Sequence, residues 1–378
     1  MIIPLMSNVV ALLALLIILS TPVSTHAAAA NSGLLKAKHE AETSRRIFFT
    51  AHEEIVAMAK MEGKLRVVTG LEPKNFKPLI DGFKQKFPFI SDVQVDEIHG
   101  STEAYQRFLM EIRSGQAKQW DITFTHLDFV ADYIPHLKKY DIMGMADHGV
   151  LKIDPRMIHP IERNIVSFTS VLTVVPYNRK LISDDQVPGT WEEFLKPEFK
   201  GKKFVLDIRP LQVAGLVPAW GLERTLNFAR KLAAQEPVWG RGATRMTTAV
   251  AAGEYPLYIG SNFSSIHRVM GKDRTGNLSY KFVEPVPARV VDQINGILDT
   301  AAHPHAALLW FEFLTSPEGQ KIIDKYEPLK ASVFNPSSAV AQATRGKELS
   351  VIDWDHTKKF HQYEKKISEA FGFPSAKK

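Results

Sequence analysis

The 378-residue chain contains no cysteine. Disulfides, thiolate metal sites, a cysteine nucleophile and a lipid anchor on a lipobox cysteine are all excluded with it. The chain also lacks a Gly-x-Ser-x-Gly elbow, a Gly-Lys-Ser phosphate loop, a His-Glu-x-x-His pair and the Rossmann glycine fingerprint. An enzyme is therefore not expected, and no cofactor is called for. Nor is there a stripe of one charge sign. The net charge of +6 is spread along the chain, which does not favour nucleic acid and suits either anionic solutes or an ordinary solvated surface.

Long apolar runs are scarce too. Residues 9–19, "VVALLALLIIL", form an apolar stretch too short for a stable membrane anchor, and Pro22 and the small residues Ala27 to Ala30 follow it. This pattern reads as a signal peptide over 1–28, cleaved near Ala27 to Ala30, although its "MIIPLMSN" head carries no Lys or Arg; the competing reading is a buried N-terminal helix. No later run is apolar enough to span a bilayer. A soluble periplasmic protein is expected.

What the sequence does have is alternating periodicity. Residues 34–61 carry apolar residues at helical spacing and end at Gly63, a C-cap candidate. "KLRVVTG" reads as a strand, and "NFKPLIDGFKQKF" as a helix with Phe76, Leu79, Ile80, Phe83 and Phe87 on one side. "SDVQVDEIHG", "TEAYQRFLMEIRSG" and "WDITFTH" repeat strand, helix, strand. This alternation argues an α/β fold with a mostly parallel sheet. A second such unit follows "VSFTSVLTVVPYN", with Thr190 and Glu193 at capping-box spacing, the helices "LERTLNFARKLAAQ" and "TTAVAAG", and the strand "YPLYIG". The run "YKFVEPVPARVVDQINGILDTAAHP" crosses back to a helix, "HAALLWFEFLTSPEGQKIIDKY", and a last helix is expected within 351–373. Two α/β lobes joined by two extended crossings make a clamshell with a two-segment hinge. The expected division is an N-terminal helical segment over 29–63, one lobe from 64–168 plus 285–325, and a second from 169–284 plus 326–373.

The blocks "MAKMEGKLRVVTG", "YQRFLMEIRSGQAKQWDITF", "PGTWEEFLKPEFKGK", "AVAAGEYPL" and "AAHPHAALLWFEFLTSPEGQKII" resemble, in order and spacing, the periplasmic solute-binding proteins of ferric-iron ABC importers. The resemblance runs from about Ala57 to about Tyr326 and implies a periplasmic-binding-protein-like clamshell of type II. It also implies a small-molecule solute, a permease partner in the inner membrane, no nucleic acid and a monomer. In the ferric-binding relatives an adjacent pair of tyrosines follows "AAGEYP", whereas this chain reads Asn262, Phe263, Ser264, Ser265. The tyrosine pair is missing, so direct Fe(III) binding by that set is not expected, and no metal site is assigned.

Ligands of open α/β sheets sit beyond the carboxyl ends of the strands. That places Leu71 and Glu72, Ser101 and Thr102, and His126 at one wall of the expected cleft. Arg209, Arg245, Asn262, Ser264 and Ser265 fall at the other. Ser101 and Thr102 at a helix start, and the serines of "GSNFSS", offer anion donors or serve only as caps and turns. Arg209 and Arg245 suit carboxylate, phosphate or phosphonate, or else form surface ion pairs. His126 is a contact or a structural histidine. Glu72 and Asp207 would admit an amine, so a zwitterion is allowed. "HPH" at 303–305 sits at a helix start, and Pro304 reads there as structural. The expected function is capture of a small organic anion or zwitterion for an ABC permease; ferric iron or a ferric chelate, and ligand sensing for a membrane receptor, are the alternatives.

Overall fold

The computed structural model describes residues 23–98 and 102–373, with side chains from residue 32 onward. The expected signal peptide therefore lies mostly outside the described residues, as does Ser101. Among the described residues no helix is long and apolar enough to cross a membrane.

The first sheet contains β1 (Lys64–Thr69), β2 (Asp92–Glu97), β3 (Ile122–Thr125), β4 (Ile165–Ser167) and β12 (Ile294–Ile297), in the order β2-β1-β3-β12-β4. The pairs β1–β2 and β1–β3 are parallel, while β12 runs antiparallel to both β3 and β4. The amphipathic helix Phe76–Lys86 covers this sheet, burying Leu79 and Phe83, and Phe83 meets Trp310 edge-on at 4.9 Å.

A second group of strands builds the other lobe. The strands β6 (Val205–Asp207), β7 (Val238–Gly240) and β8 (Tyr258–Ile259) form a parallel sheet in the order β7-β6-β8. Beside it lie β5 (Val171–Asn178), β9 (Ser261–Asn262), β10 (Leu278–Lys281), β11 (Val286–Arg289) and β13 (Leu349–Ile352), with β5 antiparallel to β9, β10 and β11. The core here packs Trp191, Phe194, Phe204 and Phe228. The expected capping box is present: the Glu193 carboxylate accepts from the backbone N–H of Thr190 at 3.2 Å, and starts the short helix Trp191–Leu195.

The two extended crossings are the links β4–β5 and β11–β12, since each chain segment leaves one sheet and enters the other. Hydroxyls stitch these links side by side. Ser167 Oγ donates to the Val290 carbonyl at 3.1 Å and accepts from the Asp292 N–H at 3.1 Å, and Thr169 Oγ1 accepts from the Gln293 N–H at 3.2 Å.

Three expected elements differ. The run 34–61 is two helices, Val23–Thr43 and His52–Glu62, because the chain reverses at Arg45 (φ 56°) and then pairs Ile47 with Tyr140. The helix through "HAALLWFEFLTSPEGQKIIDKY" is also two, Pro304–Thr315 and Pro317–Tyr326, since Ser316 stays extended and caps the second through Gly319 N–H. The C-terminal segment begins with strand β13 before its helix Trp354–Ala370. Gly63 is the left-handed C-cap expected, with its N–H on the Ala59 carbonyl.

Candidate functional site

The carboxyl ends of β6, β7 and β8 converge on one carboxylate. Asp207, the last residue of β6, is 1% exposed. It accepts from Arg209 Nε at 3.1 Å, Arg209 Nη2 at 3.0 Å, the Arg209 N–H at 2.9 Å, the Gly242 N–H at 3.3 Å and the Tyr258 hydroxyl. Burial pushes its pKa up, but Arg209 and Tyr258 outweigh that and hold it below the usual carboxylate range. Its acceptor positions are filled from within the lobe, so Asp207 is not the amine seat that its place in the sequence allowed. What it does is aim Arg209, two of whose nitrogens lie on the carboxylate while the side chain stays 43% exposed.

Next to Arg209 the helix Ala243–Ala252 begins at Gly242 with no side-chain cap. Its first N–H groups carry the positive end of the helix dipole. Arg241 and Arg245 flank this start, both exposed, and neither has an ion-pair partner among the described residues. Asn262 caps the neighbouring helix Phe263–Met270 by accepting from the Ser265 N–H at 3.0 Å. Thr247, in the second turn of the helix Ala243–Ala252, and Ser261, just before the Asn262 cap, meet through their hydroxyls at 3.0 Å. In this stretch Ser265 is buried and Ser264 half-buried, and Phe263 lies in the core against Tyr280. An added Cβ at Gly260 would overlap the Tyr258 ring, so this glycine keeps the Tyr258 hydroxyl free to reach Asp207.

The other wall is more mixed. β1 has β2 on one side and β3 on the other, which makes its carboxyl end a topological switch point. Gly70 there passes against the Phe124 ring and donates its N–H to Gln293 Oε1 at 3.2 Å. Leu71 does not face open space: it is 1% exposed in the core of the first lobe, and its N–H goes to Thr69 Oγ1. Glu72 pairs with Lys74 at 2.8 Å. Thr102 is exposed at the first turn of the helix Thr102–Arg113. His126 stacks on Tyr105 at 6.2 Å and pairs with Asp128 at 3.3 Å. Burial and the Asp292 charge push the Tyr105 phenol up to about 12, so it keeps its proton at neutral pH.

The second crossing holds a charge cluster that no sequence motif marks. Asp292, in the β11–β12 link, contacts the Lys330 ammonium, Arg289 Nη2 at 3.1 Å and the Thr169 hydroxyl at 3.2 Å. Burial raises its pKa, but the two cations prevail and hold it far below the ordinary carboxylate range. A single acid inside the apolar crossing "ARVVDQINGIL" was the signal for it. The two histidines of "HPH" are structural: His303 Nδ1 lies 2.9 Å from Asp121, and His305 sits on Glu62, whose carboxylate also accepts from the N–H of Ala306.

The model of the bacterial extracellular solute-binding protein family matches residues 133–359, more than half of the chain. The chain belongs to that family. This solute-binding protein is the capture component of ABC transport, and its fold is that of the type II periplasmic binding proteins. No curated protein matches its sequence. Among solved structures it resembles the ferric iron-binding protein A of Mannheimia haemolytica in an open conformation, with a TM-score of 0.62, 16% identity and coverage of 81% of this chain and 98% of that one. The Trichodesmium IdiA (FutA) protein in complex with iron and citrate ligands gives 0.57 at 19% identity, covering 82% and 100%. The Atu4243–GABA receptor gives 0.56 at 14% identity, covering 81% and 97%. At such identities the likeness concerns the fold.

Proposed function

We propose that this solute-binding protein captures a small organic anion or zwitterion in the cleft between its lobes and delivers it to an ABC permease in the inner membrane. It is exported by a signal peptide removed near Ala27 to Ala30 and acts as a monomer. The observation that carries the anion is the meeting, on the second lobe, of Arg209 held by Asp207, Arg241 and Arg245 with no ion-pair partner among the described residues, and an uncapped helix start. Such a set offers a carboxylate, phosphate or phosphonate both planar donors and a fixed positive field. Ligand then favours the closed clamshell because only that state lets both lobes touch it. The Atu4243–GABA receptor supports the zwitterion reading, since its fold takes a molecule with an acid at one end and an amine at the other.

A ferric complex of an organic anion is the second reading. It draws on the Trichodesmium protein with iron and citrate. In this chain Phe263 and Ser264 bring no phenol to the helix start, so a chelator would have to supply the oxygen donors that Fe(III) prefers. A thermal-shift screen of ligand-stripped protein separates the readings. At a hundred times the dissociation constant a true solute adds about 2.7 kcal/mol of stability. Iron-free dicarboxylates, phosphonates or amino acids raising the melting temperature would support the first reading; a rise with ferric citrate and none with citrate alone would replace it by the second.

A further inference from the structure

A cavity of about 440 Å³ lies between the loop after β3 and the helix Trp354–Ala370. Its apolar walls are Leu127, Val130, Trp354 and Phe360. Two polar side chains belong to the same lining. His159 is 8% exposed, and its Nδ1 accepts the N–H groups of Ile161 and Glu162 at 3.2 and 3.1 Å. The ring proton must therefore sit on Nε2, which has no acceptor among the described residues. Thr357 is 7% exposed, and its hydroxyl is buried with no hydrogen bond. A native structure leaves few buried groups such as the Thr357 hydroxyl unsatisfied, and one beside a cavity points to an absent acceptor. Burial and the nearby Lys358 hold the His159 pKa down to about 4, so the ring is a neutral donor at ordinary pH.

We propose that this cavity is a second small-molecule site, apart from the interlobe cleft, for an aromatic carboxylate whose ring lies between Trp354, Phe360, Leu127 and Val130 and whose oxygens accept from His159 and Thr357. The volume is that of a small-ligand pocket, and an apolar lining with a few convergent polar groups is the usual form of one. Lys358, 3.5 Å from Asp355, stands at the rim and favours a carboxylate over its neutral amide. Asp128, an acid of the lining, is engaged by His361 at 3.2 Å and His126 at 3.3 Å. The other nitrogen of His361 faces Glu364 at 3.0 Å. The site joins the β3 loop, which carries His126, to a helix whose far end packs Ile367 and Phe371 into the core of the second lobe. An occupant would thus influence how the lobes close.

Benzoate and benzamide titrated into the full ligand-free protein, read by tryptophan fluorescence and ligand-observed NMR, test the site. Benzoate should saturate at one equivalent and bind more tightly than benzamide. Thr357→Val should weaken it about fivefold, the worth of one hydrogen bond. Val130→Trp, which fills the slot, should abolish it, and Arg209→Met should leave it unchanged. Thr357→Val keeps the test decisive if Val130→Trp fails to fold. Absence of saturation up to about 10 mM, or binding that Arg209→Met removes and Thr357→Val does not, overturns the proposal.

Discussion

Replacing Arg209 by Met takes away the cation that neutralises Asp207 and, on the reading above, one of the groups that hold the solute. The stability effect follows from the geometry. Asp207 is 1% exposed and would keep the Tyr258 hydroxyl and the backbone N–H groups of residue 209 and Gly242, but no cation, for a full negative charge. Removing one partner of a fully buried pair costs about 3–5 kcal/mol. Arg209 is 43% exposed, so water screens part of the interaction, and a loss of about 2 kcal/mol is the reasonable figure. That corresponds to a fall of about 5 °C in melting temperature. Asp207→Asn combined with Arg209→Met removes both charges and keeps an acceptor for Tyr258, so it should regain most of the lost stability. Solute affinity should not return. Melting curves and calorimetric titration on the wild type, both single variants and the double variant form a cycle. If Arg209→Met melts like the wild type, Asp207 is not relying on Arg209. Should the double variant bind the solute as tightly as the wild type, Arg209 is outside the site.

Asn262→Ala removes the side-chain acceptor for the Ser265 N–H and should cost about 1 kcal/mol in unliganded stability by thermal melting; if "GSNFSS" also serves as a ligand shelf, affinity should fall beyond what Ser264→Ala alone produces. A pH prediction follows from His159. Because its folded pKa is lowered to about 4 from 6.5, the folded state gives up protons that the unfolded state keeps. This contribution is fully present above pH 6.5 and is lost as pH falls toward 4, the loss reaching about 2 kcal/mol by pH 5. Asn at position 159 preserves an acceptor for Ile161 and Glu162 without titrating. Melting temperatures of His159→Asn should therefore decline less than those of the wild type between pH 7.5 and pH 5, and parallel declines would refute the assignment.

Much of the architecture was legible because it rests on local pattern. Phe83 and Leu79 lie on the buried face that their spacing implied, and Thr190 with Glu193 forms the box that their spacing implied. The helix errors came from runs whose apolar period continues across a break. "RRIFFT" keeps the rhythm of a helix, yet Phe48 is buried from a turn, and only the contact of Ile47 with Tyr140 reveals this. The candidate site was less legible. Strand order put Arg209 after β6 and Arg245 at a helix start, where they lie, but Tyr258 is 51 positions from Asp207 and the Asp292 cluster draws on residues from 167 to 330, so neither network has a local signature.

These networks bear on which charge the cleft should prefer. Asp292 is the buried acid of the hinge, but Lys330, Arg289 and Thr169 already compensate it, so a bound amine would have to displace a cation to reach it. Asp207 is occupied in the same way, and Glu72 is engaged by Lys74. The lobe that holds Arg241 and Arg245 has no such compensation for them among the described residues. A charge left unpaired near a sheet's carboxyl edge has more to gain from a ligand than one already paired, since no existing bond is broken when the ligand arrives. The balance therefore favours an anion over a zwitterion. It also gives the salt dependence a definite sense: affinity should fall as ionic strength rises, because exposed arginines attract through a screened field.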